Sequence, residues 1–169
     1  IRSQFLLLGE VGPILGAASI FIEEEPVQVT SMLINLTQET PTVTALLVYD
    51  DQRRFLGTAL LDPSTSTNRT YKVAPLSDFI VEKRQERTIY VRPRLTRKDS
   101  GGQSNQIVKI SSVTVKANGV WSSRQYTKVS SESNRFPEFI TARSTILSVK
   151  NAGGANAALI TGSRRELAR

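Results

Sequence analysis

The amino-acid sequence predicts an all-β, antiparallel fold, either a sandwich or a barrel. Three observations carry the prediction. Val, Ile, Thr, Leu and Ser are abundant, which favours strands over helices. Apolar and polar residues alternate in runs that return about every ten residues, separated by turn signals such as Asp50-Asp51-Gln52 and Asn118-Gly119. No stretch sustains a helical period for more than about two turns.

The chain opens on its most apolar part. Phe5, Leu6, Leu7 and Leu8 precede a turn at Gly9-Glu10-Val11-Gly12-Pro13, and residues 14–22, with Ile14, Ile20 and Ile22, read as a strand. A terminus frays unless something ties it down, so an apolar one is buried in its own domain or in a neighbour. Residues 1–13 are therefore expected as an extended segment, a candidate donor strand hinged at Gly9, Gly12 and Pro13, and residues 14–169 as the folded domain. The alternative is an ordinary first strand in its own sheet. The first residue is Ile rather than Met, so the expectation is a chain cut from, or lying inside, a longer polypeptide.

Glu23-Glu24-Glu25 reads as a solvated loop, and Pro26 closes the strand because it cannot donate to a ladder. Residues 27–36 form the next strand, with Val27 and Val29 on one face and Met32, Ile34 and Leu36 on the other. The change of parity near Ser31 signals a bulge or a crossing between sheets. Residues 43–49 and 53–61 form a hairpin around Asp50-Asp51-Gln52, with Gly57 marking a second bulge. After a polar loop at 62–68, residues 69–73 make a short strand, and 75–79 a connection with room for one helical turn.

The clearest alternation is at 86–95. Ile89, Val91 and Leu95 point one way; Thr88, Tyr90, Arg92 and Arg94 point the other, and Pro93 places the strand at an edge or a bulge. Residues 98–105 are a loop and 107–117 a strand that turns at Asn118-Gly119. Residues 130–134 read as a polar stretch. Residues 139–150 read as one long strand, 151–156 as a break, and 157–160 and 164–169 as the closing segments.

At 169 residues the chain is long enough for one domain with a sizeable core. It has no Cys and no His, which removes disulfides, most zinc, haem and iron–sulfur readings, Cys nucleophiles and His bases. No P-loop, dinucleotide or nucleophile-elbow motif is present, and acidic pairs such as Asp50-Asp51 read as solvated turns. The expectation is a protein without enzyme activity, catalytic residues, metal or cofactor. No apolar run reaches the ~20 residues of a membrane helix.

The net charge is +7, concentrated in Lys83, Arg84, Arg87, Arg92, Arg94, Arg97 and Lys98. A basic stripe can meet an acidic polymer or glycan. Single-strand nucleic-acid grooves add stacking aromatics, and only Tyr90 shares this strand's polar face, so nucleic acid is set aside. Trp121 is expected as a core plug rather than a sugar platform with Tyr126. Of two Asn-x-Thr sequons, Asn68 lies in a polar loop and is the better glycan acceptor; Asn35 ends a strand.

The runs Pro26-Val27-Gln28-Val29, Met32-Leu33-Ile34-Asn35-Leu36, Leu47-Val48-Tyr49-Asp50 and Gly57-Thr58-Ala59, with Thr88-Ile89-Tyr90-Val91 later, resemble the strands of immunoglobulin-like repeat domains in large bacterial surface proteins of the S-layer, pilus and adhesin type. The resemblance spans residues 14–117 and implies an immunoglobulin-like β-sandwich at the cell surface or outside the cell. The basic strands and the apolar leader have no counterpart in that pattern. In such repeats one domain's last strand leads into the next, and the chain's end at 159–169 has that character.

The expected function is a structural subunit of an extracellular filament, pilus or surface layer. It would assemble with copies of itself, head to tail, by strand addition. Phe5, Leu6, Leu7, Leu8, Ile14, Ile20, Ile22, Arg92 and Arg94 are the candidate interface residues. The alternatives are a module binding an anionic polymer or carbohydrate, and a viral shell subunit.

Overall fold

The computed structural model describes residues 4–74, 76, 78–130, 136–142, 146–150, 156–161 and 165–166. Among them are the strands β1 (Gln4–Leu7), β2 (Gly16–Phe21), β3 (Val27–Leu36), β4 (Val43–Asp50), β5 (Phe55–Leu61), β6 (Thr70–Val73), β7 (Ile80–Val81) and β8 (Glu86–Leu95). They continue with β9 (Ile107–Val108), β10 (Ile110–Gly119), β11 (Gln125–Ser130), β12 (Phe139–Ala142), β13 (Ile146–Lys150), β14 (Asn156–Thr161) and β15 (Arg165–Glu166). The described residues hold no α-helix, only one 3₁₀ turn at Lys98–Ser100. The fold is all-β.

Eight strands follow one another in the order β11-β10-β3-β6-β5-β4-β8-β2, with β7 also paired to β3. Every pairing in this nine-stranded sheet is antiparallel. β1, β12 and β9 form a second sheet, in which β1 runs parallel to β12. β13, β14 and β15 pair antiparallel with one another.

The large sheet turns back on itself, because apolar faces from both halves enter one cluster. Ala18, Ile20, Val48, Ile89 and Val91 come from one half, and Val29, Met32, Ile34, Val113 and Val115 from the other. The wrap brings the two edge strands together, where Lys128 Nζ of β11 donates to the Ser19 carbonyl of β2 at 3.1 Å. Tyr71 plugs the interior and donates its hydroxyl to the Val43 carbonyl at 2.8 Å. Burial pushes that phenol up to about 12.

The expected bulge in β3 is present and has a clear effect. Lys116 pairs with Ser31 and Ala117 with Val29, which leaves Thr30 as the extra residue. That residue resets the parity, so Val27 and Val29 face the same core as Met32, Ile34 and Leu36 rather than opposite sides. The second bulge falls beside Gly57: Val48 pairs with Gly57 and Tyr49 with Phe55, leaving Leu56 unpaired in the register.

Four features go beyond the sequence reading or differ from it. First, the described part of the opening stretch, residues 4–22, is seated on strands of its own chain. Leu8 N–H donates to Ala142 O at 2.9 Å, Gly9 N–H to Thr96 O at 3.1 Å, Gly12 N–H to Pro93 O at 2.8 Å and Leu15 N–H to Val91 O at 2.7 Å. Leu6, from the segment set apart at 1–13, belongs to the same core cluster as Leu15. Second, residues 125–130 form a strand that composition conceals, since most of its side chains face water. Third, the described parts of 139–150 belong to two different sheets: β12 pairs with β1 and β9, and β13 with β14. Fourth, the hairpin turn is not Asn118-Gly119. Asn118 still pairs with Gln125, and the turn lies at 120–124. The expected helical turn at 75–79 falls partly outside the described residues.

Candidate functional site

Among the described residues, no strand pairs with the outer edge of β2 or of β11. Each is six residues long. An unpaired edge carries a row of backbone donors and acceptors that can template another strand. The Ser19 carbonyl points off the edge toward Lys128, so the Ser19 N–H lies on the same outer side. Phe21 on β2 and Val129 on β11 are exposed apolar residues beside these edges.

The predicted interface residues separate into two groups. Leu6, Leu8 and Ile20 are buried in the core, and Ile22 packs against it. Phe5 is 63% exposed and Ile14 48% exposed, while Leu7 is half-buried. The leucines of the opening stretch are thus spent on the chain's own interior, because alternation along β1 carries Leu6 inward and Phe5 outward.

Arg92 and Arg94 do lie on the outward face of β8, with Arg94 exposed and Arg92 half-buried. Arg92 Nε donates to Gly12 O at 2.8 Å, and its guanidinium carbon lies 6.0 Å from the Tyr49 ring centroid. Tyr49 sits directly opposite Tyr90, and Phe55 opposite Tyr49. The face therefore carries three aromatic residues in one cross-strand row. Only Tyr90 was evident from the β8 sequence, because the other two reach the row through pairing register.

Beside this face, the turn after β4 is organised by one buried carboxylate. Asp50 accepts the N–H groups of Gln52 at 2.9 Å and Arg54 at 2.8 Å, and approaches Arg54 Nε at 3.2 Å and Arg87 Nη2 at 3.4 Å. Arg87 also grips Asp51 at 2.7 Å and stacks over Phe79, 4.5 Å from the ring centroid. The Arg87 hydrogen bond holds the Asp51 carboxyl below its usual range. Asp50-Asp51 is thus a paired structural cluster rather than a solvated turn.

The acidic triplet also changes role. Glu25 is buried and accepts from Trp121 N–H at 2.9 Å, Ser122 N–H at 3.0 Å, Tyr126 Oη at 3.0 Å and the Ser122 hydroxyl. Glu24 takes Arg124 at 3.4 Å and Tyr126 Oη at 3.0 Å. These carboxylates clamp the β10–β11 hairpin. A Cβ at Gly119 would run into the Glu25 carboxylate, which is why glycine stands there. Trp121 is 69% exposed at the tip and is not a core plug. Its pattern misled because the preceding alternation ends at Gly119, where the carboxylate rather than apolar packing takes over.

Asn68 is exposed in its turn, whereas the Asn35 amide is engaged with Ser112 Oγ at 2.9 Å and Thr70 Oγ1 at 2.6 Å. Among the described residues, no group of three His, Cys, Asp or Glu is placed to hold a metal ion. Among the described residues, no helix is long and apolar enough to cross a membrane. Compared with family models, curated proteins and solved structures, the chain matches none.

Proposed function

We propose that the chain is an immunoglobulin-like β-sandwich that serves as a structural subunit of an extracellular filament, pilus or surface layer. Copies join head to tail by strand addition. One observation carries this reading: the sheet wraps until its two edges meet, and one lysine side chain spans them in place of a ladder. Two edges of equal length on one molecule suit a contact in which β11 of one copy pairs with β2 of the next. A heterologous contact whose rotation does not close a ring repeats along an open chain of subunits, as a filament requires. Backbone pairing supplies the affinity, and the alternate side chains Ala17, Ser19 and Phe21 on β2 supply the selection.

In this reading the junction lies at the edges rather than in a departing N-terminal strand, and the pairing of β1 with β12 in its own chain supports it. Lysine on an edge ordinarily blunts strand addition. Here Lys128 acts as a latch, because its hydrogen bond to Ser19 O must break before a neighbour's strand takes that acceptor. Sedimentation velocity tests the reading. Wild type should form concentration-dependent species larger than a monomer, and Ser19→Pro, which removes an outward-facing donor, should stay monomeric and folded. A wild type that remains monomeric at millimolar concentration would refute it.

A further inference from the structure

We propose that the outer face of β4 and β8 carries a binding groove for an acidic oligosaccharide, separate from the edges that join subunits. The groove measures about 670 Å³ and is lined by Pro13, Ile14, Tyr49, Tyr90, Arg53 and Arg92, together with Asp50 and Asp51. That volume lies within the range of small-molecule sites, about 300–1,000 Å³.

Its floor is formed by Tyr49 and Tyr90 of the aromatic row. Tyr49 and Tyr90 are half-buried and directly opposed across β4 and β8, and Phe55 extends the row with an edge-on contact to Tyr49 at 5.6 Å between centroids. Strands lie about 4.8 Å apart, so Tyr49 and Tyr90 form a floor about 5 Å across, with Phe55 edge-on beside it. An aromatic floor of that kind suits the apolar face of a sugar ring. Phenol hydroxyls and the Asp51 carboxylate at its margin suit the ring's hydroxyl groups.

Its walls carry the charge. Arg92 spends Nε on Gly12 O, which fixes the guanidinium while both terminal nitrogens have no protein partner among the described residues. A fork held in this way matches a carboxylate bidentately. Arg53 faces the groove from a turn that the buried Asp50 carboxylate holds rigid. It adopts φ 63, a left-handed conformation uncommon for arginine. Strained residues held by their surroundings concentrate at ligand sites. Asp50 and Asp51 are already matched by Arg54 and Arg87, so Arg53 and Arg92 are the charges left for a ligand.

The same balance disfavours a nucleic acid. Grooves for single strands track the backbone with continuous positive charge. This one sets two carboxylates beside its two unmatched guanidiniums, a match for a chain that carries its anions sparsely and hydroxyls between them.

Isothermal titration calorimetry on the full chain tests the proposal, with a hyaluronan hexasaccharide, which carries a carboxylate only on every second ring, as the hexamer probe, maltohexaose as its neutral counterpart and a thymidine oligonucleotide as the competing polyanion. The hexamer should bind saturably, more weakly as salt rises, and at least about tenfold more tightly than maltohexaose, as expected when charge-assisted bonds are lost. Arg92→Gln should weaken it by about tenfold. Because Arg92 also anchors Gly12, Arg53→Asn serves as the second variant. It suits the left-handed turn, leaves the fold intact and should weaken binding similarly. Lys128→Ala, at the subunit edge, should bind as wild type does. Absence of saturable hexamer binding, unchanged affinity in Arg53→Asn, or tighter binding of the oligonucleotide would each overturn the proposal. So would loss of self-association in Arg53→Asn, which would make the occupant a second copy.

Discussion

Leu6→Ala tests whether the opening stretch is a structural part of its own subunit. Leu6 is 0% exposed and belongs to the main core cluster. One of its methyl carbons lies 3.0 Å from where a Cβ on Gly12 would sit, so it also packs under the crossover between β1 and β2. Truncating a fully buried leucine costs about 2–5 kcal/mol, the spread reflecting how far the site collapses. Total stability is about 5–15 kcal/mol for a domain of ordinary stability. At this length each kcal/mol moves Tm by about 2–4 °C, so a fall of about 4–20 °C is expected. Urea denaturation at several protein concentrations measures it. The loss should be the same at every concentration, because the contact lies within one chain; stabilisation by a partner would grow with concentration. A loss below about 1 kcal/mol, or one that appears only at high concentration, would refute the placement of β1 in its own sheet.

Further outcomes follow from the same structure. Asp50→Ala leaves two backbone donors without their acceptor, while Arg87 keeps Asp51 and Arg54 keeps the Asp78 carbonyl, and should cost about 1–3 kcal/mol for each N–H left unpaired, read in urea melts. The Glu25 carboxyl is held below its usual value, chiefly by the Ser122 hydroxyl and then by the Trp121 and Ser122 N–H groups. A depressed folded-state value means that this contribution is present above the unfolded value of 4.5 and is lost as pH falls below it. Fluorescence of Trp121, the single tryptophan, should therefore report hairpin loosening on acidification, and Glu25→Gln should lack that transition. Gly119→Ala forces a methyl against the same carboxylate and should destabilise by about 1–3 kcal/mol, read by thermal denaturation. Lys128→Ala unlatches the edge, so sedimentation should show more association than wild type at equal concentration.

Much of the fold was legible because alternation reports directly on which side of a strand is buried. β3, β4 and β8 were expected within a residue of where they lie, and the bulge near Ser31 was visible as a break in parity. β11 was not legible, because an edge strand with most side chains in water loses the apolar half of the pattern. The seating of β1 was open between two outcomes, since an apolar terminus reads alike whether it covers its own core or a neighbour's. The roles of Asp50 and Glu25 were hidden for a different reason. Their partners at Arg87 and Ser122 are 37 and 97 residues away, and a carboxylate's neighbours across a sheet leave no mark in its local sequence. The aromatic row was concealed in the same way, because Tyr49, Phe55 and Tyr90 meet only through the register of three strands.

The proposed junction joins β2 of one copy to β11 of the next. The chain has no cysteine, so single thiols can be placed at will. Ser19→Cys, on β2, and Thr127→Cys, on β11, are prepared as separate proteins and treated with a short bismaleimide, alone and mixed. A crosslinked heterodimer is expected in the mixture and none in either protein alone, because the proposed contact joins unlike edges. Crosslinking of Ser19→Cys to itself, or equal yields with and without mixing, would contradict it.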